Sequence, residues 1–170
     1  MKPISLDDIN SWSDFKSYAE SMPNTKSMGD AFEQLTKLYF QINPLYRSKY
    51  KEVWLLDEVP SKDLEYLDLP RQDLGIDLIA KSGDEYHAIQ CKYHSDKTNT
   101  VKNSEISTFT SILANKKNLS HGYICSTALN LIVRKTPRLL EGLVLIELAL
   151  FLCWWSHLCL NQVVKTLLYC

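Results

Sequence analysis

The segment 74–93 constrains the fold most. Two apolar runs, Leu74-Gly75-Ile76-Asp77-Leu78-Ile79-Ala80 and residues 85–93, flank the turn-type triplet Ser82-Gly83-Asp84. Such runs around a glycine-bearing turn predict two strands joined as a hairpin. Successive strand side chains point to opposite faces. Along the second strand Tyr86, Ala88, Gln90 and Lys92 therefore share one face, and His87, Ile89, Cys91 and Tyr93 share the other. Both runs read as buried, yet Asp77 interrupts the first and Gln90 and Lys92 interrupt the second. A hairpin can bring Asp77 opposite the Gln90/Lys92 region. A carboxylate, an amide oxygen and an ammonium then converge near one end of a sheet. Taken singly, a strand Asp more often caps a turn, and a strand Lys more often snorkels to solvent. The combination is what points to chemistry.

Metal-assisted phosphodiester hydrolysis wants this set. Mg²⁺ takes hard oxygen ligands: a carboxylate, a carbonyl, waters and the substrate phosphate. Asp77 is then the main ligand, completed by Gln90 and the backbone carbonyl of Cys91. A bound metal lowers the pKa of a water and offsets charge on the phosphate. Lys92 would position or help deprotonate that water and stabilise the developing charge. Mn²⁺ is expected to substitute for Mg²⁺.

The rest of the chain reads as a mixed α/β scaffold. Ser11-Trp12-Ser13-Asp14 looks like a capping box opening a short helix. Ser27-Met28-Gly29-Asp30 predicts the start of a second helix, which carries Phe32, Leu35, Leu38, Tyr39 and Ile42 at helical spacing and stops at Pro44. Residues 53–59 read as a strand, and a polar, turn-rich stretch runs to residue 73. A helix with Ile106, Phe109, Ile112 and Leu113 on one face is expected after Ser104, and 122–127 as a fourth strand. Helices on both faces of the sheet are the natural packing.

A chain of 170 residues with 45% apolar and 23% charged residues supports one globular domain. Acidic residues in the first thirty positions and no apolar run there argue against a signal peptide and for the cytoplasm. The five cysteines show no metal-ligand spacing, which argues against a zinc site or disulfide framework. Net charge is only −1. It is uneven, however: residues 92–138 hold eight basic against two acidic residues, and residues 1–91 hold ten against sixteen. That asymmetry can give a neutral protein one basic face. Lys97 and Lys102, in the loop after Lys92, are candidate phosphate contacts. His94 follows closely, whereas His87 reads as packing, and Cys91 and Cys125 read as small core hydrophobes.

Gly75-Ile76-Asp77-Leu78-Ile79-Ala80 followed by Tyr86-His87-Ala88-Ile89-Gln90-Cys91-Lys92-Tyr93 resembles the core of the PD-(D/E)xK nuclease superfamily. It is most similar to the Mrr-like branch, in which Gln replaces the acidic residue of the second half-motif. More narrowly, it resembles the nuclease domain at the N-terminus of helicase-like restriction enzymes. Trp54, the helix with Phe109 and the strand ending in Ser126-Thr127 fit the same pattern. The resemblance implies an α-β-β-β-α-β core with a central mixed sheet. It implies Mg²⁺-dependent cleavage of double-stranded DNA within a restriction-modification system. It also implies that Glu33 is a further acidic site residue on the first core helix, that helicase and specificity modules accompany the domain in full-length relatives, and that a double-strand cut uses a homodimer or sequential nicking.

The resemblance covers about 27–130 and organises the chain as a helical extension (1–26), a nuclease domain (27–132) and an apolar tail (133–170). The run 139–160 would just span a bilayer. Glu147 lies inside it, and a mid-membrane acid costs roughly 2.5–3.5 kcal/mol, which argues against a membrane. A buried helix, a shifted reading frame or a truncated larger protein would also give such a tail. Two other functional classes stay open: a catalytically inactive DNA-binding or assembly module of the same fold, and a tail-anchored membrane protein.

Overall fold

The computed structural model describes residues 9, 11–70, 75–96, 98–128, 130–131 and 140–144. A five-stranded mixed sheet, in the order β1-β2-β3-β5-β7, forms its centre. The strands are β1 (Glu52–Leu55), β2 (Leu78–Ser82), β3 (Glu85–Lys92), β5 (Leu119–Ser126) and β7 (Leu140–Val144), and β4 (Thr100–Val101) pairs separately with β6 (Asn130–Leu131). The helices are α1 (Trp12–Glu20), α2 (Thr25–Ile42), α3 (Pro44–Lys49), α4 (Ser61–Leu67) and α5 (Asn103–Asn115). The expected core appears as α2-β1-β2-β3-α5-β5.

β2 and β3 form the predicted antiparallel hairpin, with Leu78 opposite Ile89 and Ser82 opposite Glu85. Gly83, at φ +60, is the first of its two turn residues, the position where a two-residue hairpin most needs glycine. β5 runs parallel to β3, which requires the crossover that α5 supplies. Each sheet face has its own core. Leu78, Ile89, Cys91, Tyr123 and Cys125 pack against Phe15 of α1 and Phe32, Tyr39 and Phe40 of α2. Ile79, Ala88 and Ile124 pack against Leu64 and Leu67 of α4 and Ile106, Phe109 and Leu113 of α5. The alternation read from the sequence therefore sorts β3 correctly between two helical layers.

Several boundaries differ from expectation. The α2 helix starts earlier, because the Asn24 side chain accepts the Ser27 amide at 2.9 Å and caps it. Pro44 does not merely end α2; it occupies the first turn of α3, where a missing amide proton costs nothing. β1 is only four residues long and gives way to a 3-10 turn at Leu56–Glu58. The polar stretch before residue 73 contains α4. Its Asp63 is buried, accepting hydrogen bonds from the Tyr86 hydroxyl and, at 3.2 Å, from Lys81. β7 pairs parallel with β5, so the sheet continues past residue 132. The rest of the apolar tail lies outside the described residues. Among the described residues no helix is long and apolar enough to cross a membrane.

Candidate active site

Strand pairing becomes irregular where β2 begins, and Asp77 is the reason. Continuing the register one step past Leu78–Ile89 sets Asp77 across from Gln90. The Asp77 amide donates to the Ile89 carbonyl at 2.9 Å. Its carboxylate, however, takes over a bond that a backbone carbonyl would otherwise make: Oδ2 accepts the Cys91 N–H at 2.6 Å. Its own carbonyl accepts the Leu56 amide at 2.9 Å, tying it to the 3-10 turn. The carboxylate is thus fixed beside the Gln90-Cys91 peptide.

Asp77 and Glu33 line one open cleft of about 410 Å³ between α2 and the 3-10 turn. Asp30, Asp57 and Lys26 share its walls. Asp30 is ion-paired with Lys26 at 3.0 Å. Glu33 is half-buried beside Phe32, on the edge of the α2 face that meets the sheet. The structure therefore brings together the two carboxylates expected at the site. Asp30 and Asp57 were not singled out from the sequence; nothing distinguishes them from solvated surface acids until α2 and the 3-10 turn are placed side by side.

Gln90 and Lys92 point to the α5 face and are not among the residues lining that cleft. Gln90 is 3% exposed, and its Oε1 has no hydrogen-bond partner among the described residues. Its amide lies under Gly75 (φ +84): a Cβ there would stand 3.1 Å from Gln90 Nε2 and 3.4 Å from the Phe109 amide nitrogen. Gly75 is thus required both by its dihedral and by the close approach of Gln90. Lys92 is half-buried at the end of β3. Beyond it, His94 Nε2 lies 3.5 Å from Glu105 Oε1. Glu105 also accepts the Lys102 amide at 2.7 Å, capping α5 two residues before the expected Ser104. Lys102 is exposed, and Lys97 lies outside the described residues.

Electrostatics separate the roles around Cys91. Burial pushes its thiol well up, and the neighbouring Cys125 thiol and Asp77 carboxylate act in the same direction. Burial, then Asp77, also raises the Cys125 thiol. Both therefore stay protonated core residues, not nucleophiles or thiolate ligands. His87 accordingly turns away from the site, its Nδ1 3.1 Å from the Tyr50 hydroxyl.

The oxygen donors of the cleft suit a hard divalent cation. The cleft offers the carboxylates of Asp77 and Glu33, while the buried Gln90 amide oxygen, which has no hydrogen-bond partner among the described residues, lies toward α5 and outside the cleft lining. These are the oxygen donors Mg²⁺ or Mn²⁺ prefers. No cluster of three or more His, Cys, Asp or Glu side chains suited to a metal occurs among the described residues.

An α/β sheet with an Asp and a Gln-x-Lys strand meeting at one end defines a restriction-endonuclease-like protein. A family model for restriction endonucleases, of the Mrr catalytic type, matches residues 41–141, more than half of the chain. The chain belongs to this family. The match begins after Glu33, so it bears on Asp77, Gln90 and Lys92 but not on the α2 carboxylate. Among solved structures the chain is similar to an ATP-dependent Type ISP restriction-modification enzyme, LlaBIII, bound to DNA, with 26% identity and a TM-score of 0.59. That likeness covers 87% of this chain but only 9% of the enzyme's. A search of curated proteins finds no match.

Proposed function

We propose that this chain is a Mg²⁺-dependent DNA endonuclease domain of restriction type that hydrolyses phosphodiester bonds in double-stranded DNA. The observation that carries the reading is the Asp77 carboxylate, seated on the Cys91 amide and opening into the cleft it shares with Glu33. Asp77, Glu33, the Cys91 carbonyl and Gln90 would hold the metal, with Mn²⁺ able to replace Mg²⁺. When bound, the cation lowers the pKa of a water and offsets phosphate charge.

The chain's own residues do the rest. The Cys91 N–H holds Asp77 in place before substrate arrives, so little reorganisation is needed during reaction. The Lys92 ammonium, at the end of β3, orients the attacking water and counters charge developing on the phosphate. Lys102, exposed at the start of α5, contacts the DNA backbone and positions the duplex without reading sequence. Lys97 belongs to the same proposal. Since the chain spans 9% of the restriction enzyme it resembles, helicase and specificity modules supplied by a longer protein fit this reading. A second copy, or sequential nicking, would provide the second cut. The free, buried thiols of Cys91 and Cys125 suit the reducing cytoplasm.

The test is plasmid cleavage with Mg²⁺ or Mn²⁺. Asp77→Ala and Lys92→Ala should each lower the rate by about 10²-fold or more, the scale for removing an electrostatic contributor. Cleavage by both variants at the wild-type rate overturns the assignment.

A further inference from the structure

We infer that Thr127 is a positioning residue for Lys92, an inference that rests on the nuclease reading of the site. The β3–β5 ladder ends at the pair Lys92–Ser126. One residue further, Thr127 extends it by other means. Its amide donates to the Lys92 carbonyl at 3.2 Å. Its hydroxyl accepts the His94 N–H at 2.7 Å and donates to the His94 carbonyl at 2.8 Å.

These bonds bracket Tyr93 and grip the chain on both sides of it. Tyr93 is itself held from the opposite face, by ring contacts with Phe15 and Phe32. Thr127 is 3% exposed, so water cannot readily take over its bonds. Its single proton is committed to His94 O, and a hydroxyl has only one to give. Ser126 Oγ meanwhile accepts the Ala128 amide at 2.9 Å, just past the end of β5. The last residue of a strand ordinarily frays. Here the last residue of β3 is the reactive lysine, and the Thr127 clamp removes that freedom. A displacement of about 1 Å in such a group can cost about 10²-fold in rate.

Thr127→Val keeps the shape and removes the hydroxyl, whereas Thr127→Ser keeps the hydroxyl. The full chain is reductively methylated with ¹³C-formaldehyde, and the Lys92 signal is identified by its loss in Lys92→Arg. Thr127→Val should shift or broaden that signal alone, and Thr127→Ser should leave it in place. In single-turnover plasmid cleavage, Thr127→Val should be slower by about 10–100-fold with DNA affinity unchanged, and Thr127→Ser should recover the rate. An unchanged Lys92 signal in Thr127→Val overturns the inference. So does Thr127→Ser behaving like Thr127→Val, or a Thr127→Val spectrum in which every lysine moves, which would make Thr127 a general folding residue. A wild type that does not cleave, while its Lys92 signal still responds to Thr127→Val alone, overturns the nuclease reading and leaves the clamp standing.

Discussion

Alanine at Gly75 should destabilise the protein through two separable terms. The first is conformational: φ +84 lies in the left-handed region, which costs a residue with a Cβ roughly 1–2 kcal/mol. The second is steric. The added Cβ would stand 3.1 Å from Gln90 Nε2 and 3.4 Å from the Phe109 amide nitrogen. Gln90 is buried under α5, so its amide has little room to withdraw, and overpacking of this kind costs about 1–3 kcal/mol. Together they amount to about 2–5 kcal/mol. A double-mutant cycle with Gln90→Ala tells the two apart. The backbone term is the same in both backgrounds and cancels, and Gln90→Ala removes the crowding atom. Gly75→Ala should therefore cost less in the Gln90→Ala background, by about 0.5–2 kcal/mol, read as urea midpoints at constant m-value. Gly83→Ala is the control. It also has positive φ, but nothing lies within 4 Å of its added Cβ, so it should show no coupling to Gln90→Ala. A Gly75–Gln90 coupling below about 0.3 kcal/mol would refute the packing of the amide against Gly75.

Stability should fall as the solution is acidified from pH 6.5 toward 4, and His87 sets that window. Burial, then the charges of Lys49 and His121, lower its pKa to about 4, against about 6.5 in the unfolded chain. The unfolded state therefore takes up the proton first, and up to about 3 kcal/mol is lost across the interval, with none of this effect above about pH 7. Asp63 acts in a different range. Burial raises its pKa, but the hydrogen bonds from Tyr86 and Lys81 outweigh that and hold it low. Its contribution is present above its unfolded pKa of about 3.9 and is lost only below it. Urea midpoints that stay flat between pH 4.5 and 7, or that slope equally in His87→Gln, would count against this account. Gly122→Ala should cost about 1–3 kcal/mol, because its Cβ would clash with Leu113 Cδ1 in a filled core; Leu113→Val in the same chain should recover part of the lost melting temperature.

What was legible in the sequence follows from which physical contrasts a sequence displays. Asp77, Gln90 and Lys92 stood out because each is a polar group in an otherwise apolar strand. A period of two then put Gln90 and Lys92 on one face before any coordinates, but the hairpin reading that set Asp77 beside them did not foresee that its carboxylate opens into a cleft they do not line. Glu33 had no such contrast, since a glutamate on an amphipathic helix is ordinary; only its cleft with Asp77 distinguishes it. The α4 helix escaped notice because seven residues are too few to show a helical period, and its anchor, Asp63 between Tyr86 and Lys81, is a contact between distant segments. The start of α2 was misplaced because Asn24 and Ser27 are both good caps, and local chemistry does not choose between them. β7 was hidden for the opposite reason. A continuous apolar run carries no period, so strand and helix look alike within it.

The same contrast explains why the site lies where the sheet is least regular. A polar side chain inside a strand must either find partners or remain costly. Asp77 finds one by displacing a backbone acceptor, which ends the regular β2–β3 ladder at Leu78. Gln90 keeps Oε1 buried and, among the described residues, without a partner, a burden of about 1–3 kcal/mol that folding alone gives no reason to retain. The Lys92 carbonyl accepts the Thr127 amide at the strand end, and Thr127 also bonds the His94 backbone. Each departure weakens the sheet locally, and all of them meet within a few residues of one another. Unrelated surface polarity would spread such costs over the chain. Their concentration at one sheet end, beside a cleft that Asp77 shares with the half-buried Glu33, is what a site built for a phosphate and a cation requires.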